Sequence, residues 1–370
     1  MQVKFFIVAA LLILAALPGG VEAQQRRELN LNDMAAGIET VAQQIHEVLR
    51  NEGAGNITLG KFQAQAQVSA NFSAGLVAML GEALERRQTG ILKPDSPYSV
   101  AGRYAVIEEK NDPTRVFLKI TIQIIARKSD DVLQEFVASV RNNNDIARAA
   151  GHSGPLPGEG STQDRNKKMK EQIDKPAVFF DGSLIKTHKD SPYAVEILAK
   201  RLGAPGDAKP VQPSEVKGQA FVDLKEGDLY EIRIHNGDPR QTAVGITIDG
   251  LSVFTFSEVK DKIGKPSYTH YIIPENAQTT IVGWHIRNNP PANYHSFLVT
   301  EYGKGASQFV PSPERGEPGV ICIAFSRTSP KGKGRGGSET GLGPPRDVNV
   351  KEVAVDIEPP MEFLTIRYNR

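Results

Sequence analysis

The sequence predicts an α+β fold in which an N-terminal α/β layer domain, residues 28–150, precedes a mainly antiparallel β-sandwich domain, residues 177–328. Three observations carry this. Two stretches with helical spacing of apolar residues share the first part with strand-like runs. Many short strand-like runs, set apart by turn residues, fill the second. Between them, residues 151–176 are rich in glycine, proline and charge and read as a linker ending in a short helix or extended arm.

The first residues have the form of an export signal. Lys4 supplies a positive n-region, Phe5 to Leu17 an apolar run, and Val21-Glu22-Ala23 a small-x-small cleavage site before Gln24. The run is shorter than the roughly 20 residues that a membrane-spanning helix needs. A signal peptide over 1–23 is therefore expected to be removed, with no cysteine nearby to carry lipid, leaving a soluble periplasmic or secreted protein with no integral span in the mature chain.

Composition supports two folded units. The 370 residues are 39% hydrophobic and 24% charged, an ordinary globular balance. Forty-four basic against 43 acidic residues give a net charge of +1, so no nucleic-acid partner is expected. The single cysteine, Cys322, excludes an internal disulfide. It lies in the apolar run Val320 to Phe325, which suits a buried, inert thiol.

Taken in order, Asn32 to Asn51 carries Met34, Ile38, Val41, Ile45, Val48 and Leu49 at helical spacing, and Gly53 and Gly55 stop it. Ile57 to Phe62 reads as a strand. Ser69 to Arg87 reads as a helix capped by Ser69, with Phe72, Leu76, Leu80 and Leu84 on one face. Tyr98 to Glu108, Arg115 to Ala126 and Val132 to Val140 form an antiparallel meander, turning at Lys110 to Pro113 and at Lys128 to Asp131.

Beyond the linker, Ala177 to Phe180 and Tyr193 to Leu198 are short strands, and Gly203 to Pro213 is a second Pro/Gly-rich break. Strand-like runs follow at Ala220 to Leu224, Leu229 to His235, Ala243 to Ile248, Leu251 to Phe256, Tyr268 to Ile273, Thr279 to Trp284, His295 to Val299 and Val320 to Phe325. Asp249-Gly250 is a hairpin turn by composition. Ser326 to Asp347 reads as a flexible stretch, with a basic Gly-rich loop at 329–347, and a C-terminal strand region, 348–370, returns Met361 to Tyr368 to a sheet.

No residue set has the spacing of an active site. Gly332 to Gly337 spells G-x-G-x-x-G, but Gly341, Gly343, Pro344 and Pro345 prevent the helix that would hold a pyrophosphate. Ser183 to Lys186 spells S-x-x-K, as do Ser214 to Lys217 and Ser257 to Lys260, without the partner motifs of an acyl transferase. His46-Glu47 lacks a second histidine, since Arg50 stands in its place. His152-Ser153 lacks the glycine spacing of a nucleophile elbow. Catalytic residues, cofactors and metals are therefore none. The remaining candidate is a binding surface: Gly283-Trp284-His285 holds the only tryptophan, with Tyr294 close by in sequence, and aromatic side chains of this kind stack on sugars or anchor interfaces.

Two resemblances add to this. With Ser69 to Leu76, Tyr98 to Tyr104, Val116 to Ile124 and Val132-Leu133, residues 29–149 resemble the α/β domain shared by the curli-secretion protein CsgG, the flagellar outer-membrane protein FlgO and the penicillin-binding-protein activator lipoproteins. That resemblance implies an envelope protein that binds partners and oligomerises without catalysis; the lipid-anchor cysteine of those proteins is missing here. With Thr247 to Leu251, Tyr271 to Pro274, Thr280 to Trp284 and Ser296 to Leu298, residues 218–325 are similar to an uncharacterised family of exported bacterial β-sandwich domains, which implies a fold and no activity.

The expected function is thus a non-catalytic envelope protein with an assembly or protein-interaction role, its partner an envelope protein, a cell-wall polymer or a second copy. The alternative is a carbohydrate or cell-wall binding module on the sandwich face of Trp284; an envelope hydrolase comes third.

Overall fold

The computed structural model describes residues 26–31, 33–65, 72–156, 161–262, 264–288, 293–300, 319–330 and 353–368. The expected signal peptide, the Ser69 cap and most of the basic Gly-rich loop lie outside the described residues. The fold is mixed α and β, with four helices and many more strands among the described residues.

The first sheet uses β1 (Arg26–Leu31), β2 (Thr58–Ala64), β3 (Tyr98–Glu109), β4 (Asp112–Ala126) and β5 (Asp131–Val140). Their order is β1-β5-β4-β3-β2; the central pairs are antiparallel, and both edge strands run parallel to their neighbours. Parallel neighbours need a crossover, which α2 (Phe72–Arg87) supplies between β2 and β3, while α1 (Met34–Asn51) carries the chain from β1 at one edge to β2 at the other. Asp33 caps α1, its Oδ1 accepting the Ala35 N–H at 2.6 Å and the Ala36 N–H at 3.3 Å. Ile38, Val41, Ile45 and Leu49 of α1 and Leu76, Leu80 and Leu84 of α2 share a core with Leu118, Ile120, Ile122 and Ile124 of β4. β1 lies between the expected signal peptide and the first expected helix, where no strand is expected from the sequence. The β3–β4 turn is tighter than expected, closing at Lys110-Asn111 so that Pro113 falls within β4.

Two short helices follow. α3 (Asn143–Ala150) starts on Asn142 and ends at Gly151, which is left-handed at φ 63°. α4 (Thr162–Asp174) begins with a reciprocal Ser161–Asp164 capping box. The span read as a linker therefore contains a helix whose Met169 is fully buried and whose Asn166 bonds both the N–H and C=O of Val116.

The remaining strands are β6 (Gly154–Pro155), β7 (Phe179–Asp181), β8 (Leu184–Lys186), β9 (Tyr193–Arg201), β10 (Lys209–Pro210), β11 (Pro213–Val216), β12 (Gln219–Val222), β13 (Asp228–Asn236), β14 (Thr242–Ile248), β15 (Leu251–Ser252), β16 (Tyr271–Ile273), β17 (Ala277–Ile281), β18 (Gly283–His285), β19 (Tyr294–Leu298), β20 (Val320–Pro330), β21 (Val355–Ile357) and β22 (Glu362–Tyr368). The eight-stranded sheet is ordered β18-β19-β13-β9-β8-β7, with β17 on β13 and β10 on β9. The nine-stranded sheet is ordered β11-β12-β22-β20-β14-β15, with β16, β21 and β6 added to β14, β20 and β22. The stretch expected to be flexible from Ser326 is strand as far as Pro330, because β20 continues its pairing with β14 and then with β21.

These two sheets share a second core: Val195, Ile197, Ile232 and Ile234 from one, Val244, Ile246, Ile323, Phe325, Leu364 and Ile366 from the other. The opposite face of the nine-stranded sheet gives Cys322, Ala324 and Phe363 to the first core, beside Ile146, Ala147 and Met169. β20 is thus buried on both faces, which is why Val320 to Phe325 is apolar without alternation. At Asp249-Gly250 the hairpin turn has φ of 50° and 81°, as expected from its composition. No helix among the described residues is long and apolar enough to cross a membrane.

Candidate functional site

Trp284 and His285 stand next to each other on β18, which pairs with β19 so that His285 faces Tyr294. A Cβ on Gly283 would lie 2.1 Å from the backbone oxygen of His295, so only glycine lets these strands approach so closely. Trp284 is 8% exposed and packs edge-on against Phe256 and Phe297, at centroid distances of 5.3 and 5.5 Å. Its ring belongs to the second core and presents no open stacking face.

His285 is fully buried in a ring of aromatic side chains: Phe254 at 5.5 Å, Tyr268 at 5.4 Å and Tyr294 at 5.6 Å. Burial lowers its pKa, so the imidazole is neutral at pH 7. Its Nε2 lies 3.2 Å from Asn288 Oδ1, which only accepts, so the proton sits on Nε2. Nδ1 then accepts the Ser257 hydroxyl at 3.1 Å. Asn288 in turn donates to the Tyr268 hydroxyl. Burial also pushes the Tyr294 hydroxyl up to about 12 and that of Tyr271 well above its ordinary range.

Hydroxyl, imidazole and orienting amide here have the connectivity of a nucleophile, a base and its support. Ser257 and His285 are both closed off from solvent. Ser257 is 1% exposed, and its Oγ also accepts the Val259 N–H at 3.2 Å. The trio ties the loop after β15 to the loop after β18.

A second cluster joins residues far apart in sequence. Glu362 of β22 is buried, and its Oε1 accepts the hydroxyls of Thr187 and Ser191 from the β8–β9 loop. Exposed His188 reaches Thr187 Oγ1 through Nδ1 at 2.9 Å. Burial raises the Glu362 pKa, against the lowering effect of both hydroxyls.

The other motif residues are separately engaged. Ser183 donates to Glu196, which also pairs with Arg233 at 2.8 Å, while Lys186 donates to the Lys189 carbonyl at 3.2 Å; serine and lysine of this S-x-x-K do not meet. Ser257 bonds His285 rather than Lys260. His46 Nε2 pairs with Gln88 Oε1 at 3.2 Å. Ser153 Oγ accepts the Thr365 N–H at 2.9 Å. Among the described residues no group of three histidine, cysteine or acidic side chains is placed to hold a metal.

Comparison with protein-family models, with curated proteins and with solved structures finds no match to this chain.

Proposed function

We propose that this chain is an exported, non-catalytic envelope protein that acts by binding a protein partner, using an α/β adaptor unit up to residue 150 and a β-sandwich unit from residue 177. The observation that carries the reading is an exposed apolar end on the eight-stranded sheet. Leu202 is 59% exposed and Leu298 is 40% exposed. On β13, Leu229 pairs with Leu298 on one side and with Lys200 on the other, two residues before Leu202, so the two leucines flank one end of this sheet. Large apolar side chains grouped on a surface mark contact sites more often than isolated ones do.

The test is photo-crosslinking in envelope preparations from a probe placed at residue 298, alongside sedimentation of the purified chain. A discrete protein adduct, or a self-adduct with a sedimenting dimer, that Leu202→Ser abolishes supports the proposal. Absence of any adduct counts against it. Labelling of Ser257 by a fluorophosphonate would move the reading to a hydrolase. A second reading, glycan binding, is favoured by Tyr268 and Tyr294, which stay half-buried beside His285; a saturable tyrosine fluorescence change with cell-wall oligosaccharides, lost in Tyr294→Ala, would support it.

A further inference from the structure

The eight-stranded sheet ends at β7, which pairs with β8 on one side only. The two strands turn at Gly182-Ser183, a two-residue loop that opens on Gly182 at φ 60°. Beside a loop of this length the flanking residues, Asp181 and Leu184, exchange both backbone hydrogen bonds. Alternation then turns the N–H and C=O of Phe179 towards β8 and those of Phe180 away from it. Val178 and Phe180 both pack on the second core, so the chain is extended here and the backbone groups of Val178 point outward as well. Among the described residues these outward groups have no backbone partner.

Other strands that end a sheet are blunted. β1 carries Arg26, Arg27 and Glu28; β2 has a register shift between Leu59 and Phe62; β11 carries Pro213 and Glu215. On β18 the His285 N–H is taken by the Val253 carbonyl at 2.9 Å. From Ala177 to Phe180 the β7 edge has neither charge nor proline. An open apolar edge of this kind is a template for another strand.

The edge is complementary to itself. Laid antiparallel on a second copy with Phe179 opposite Phe179, Val178 of each copy meets Phe180 of the other, and each of these residues both donates and accepts. Pro176, which has no N–H to give, falls beyond those pairs. The exposed Asp181 of each copy comes opposite Ala177 and diagonal to the exposed Lys175 of the other, which sets opposite charges within reach at both ends. Half-buried Phe179, on the face opposite Phe180, meets its own copy in a non-hydrogen-bonded pair, where side chains approach most closely.

We propose that β7 is a self-pairing edge: two copies of this chain join antiparallel through residues 177–181 about a two-fold axis at Phe179, so that the eight-stranded sheet continues from one copy into the next. Such an interface is isologous and closes as a dimer. It does not rest on the leucine contact proposed above, since Leu298 belongs to β19, at the other end of the strand order.

The experiment is sedimentation of the purified chain over a range of concentrations, with circular dichroism as the control for folding. The parent is expected to dimerise. Val178→Pro removes an outward N–H that the isolated chain leaves unpaired and is expected to weaken the dimer about tenfold or more, the effect of losing one hydrogen bond from each copy. Phe179→Lys and Phe179→Glu are each expected to sediment as monomers, because like charges meet at the axis, and their mixture as a dimer. Phe179→Cys tests the register: non-hydrogen-bonded partners lie within disulfide reach, so oxidised glutathione is expected to give a covalent dimer, with the chain's own Cys322 buried. A parent that stays monomeric, or a dimer that persists unchanged in Phe179→Lys, would overturn the proposal. A dimer lost in Leu202→Ser but kept in Phe179→Lys would place the contact at the leucines instead.

Discussion

His152 is 2% exposed, lies edge-on to Phe363, and has neither ring nitrogen in a hydrogen bond. Burial holds its pKa at about 4, against 6.5 in the unfolded chain. A group whose folded pKa is depressed stabilises the fold fully above its unfolded pKa and loses that contribution as pH falls through the folded one. For His152 the window runs from 6.5 down to about 4 and is worth on the order of 3 kcal/mol. His152→Leu is therefore expected to lose less stability than the parent between pH 7 and pH 4.5 in urea denaturation; parallel losses would refute the assignment. Glu362 has the opposite sign. Its raised pKa makes the fold more stable below about 4.5 and less so as pH rises through the folded value. Glu362→Gln keeps an acceptor for Thr187 and Ser191 and should flatten the decline in stability from pH 5 to pH 8, measured in the same way.

Helix α2 docks on the Asp249-Gly250 turn through a glycine. A Cβ on Gly75 would lie 2.4 Å from the Gly250 carbonyl oxygen. Helix propensity alone predicts that Gly75→Ala stabilises by about 1 kcal/mol. The clash is with backbone, and the turn is held by Asp249, whose carboxylate accepts the N–H groups of Gly319 and Val320 and the Tyr368 hydroxyl at 2.6 to 3.0 Å. Moving either partner costs about 1–3 kcal/mol, so the substitution is expected to lower the thermal midpoint; a rise would show that α2 is free to shift. Elements of this kind were readable in sequence wherever one rule acted alone. α1 and β13 show clean periods of 3.6 and 2, and Asp249-Gly250 has the composition of its turn. β1 and α3 were not legible, and α4 reads in sequence only as a short helix or extended arm ending a linker. β1 alternates only Leu29 and Leu31 between charged and amide residues; α3 packs through Ile146, Ala147 and Ala149, too short a set to carry a pattern; and α4 buries Asn166 by hydrogen bonding, beside only two large apolar residues, Met169 and Ile173. The clusters were hidden for a different reason: Ser257 and His285 are 28 positions apart, and Thr187 and Glu362 are 175 apart, so no spacing motif joins them. Trp284 reads in sequence as part of a binding surface and lies buried against Phe256 and Phe297, because sequence does not say which face of a short strand points inward.

At the scale of the molecule, the nine-stranded sheet belongs to two cores at once. Val244, Ile323 and Leu364 face the eight-stranded sheet, while Cys322, Ala324 and Phe363, their alternates along the same strands, pack with α3 and α4. β6 further ties the segment after α3 into this sheet, pairing with Glu362 and Phe363. A sheet whose two faces support different cores couples their stabilities, because loosening one face removes packing from strands that the other needs. Met169→Ala deletes a fully buried side chain on the α4 side and is expected to cost about 2–5 kcal/mol. Trp284, the only tryptophan, reports from the other core, between Phe256 and Phe297. If the cores unfold as one cooperative unit, Met169→Ala shifts the urea midpoint seen by Trp284 fluorescence as far as that seen by circular dichroism. If the fluorescence transition stays in place while the dichroism transition moves, the cores unfold separately and the shared sheet does not couple them.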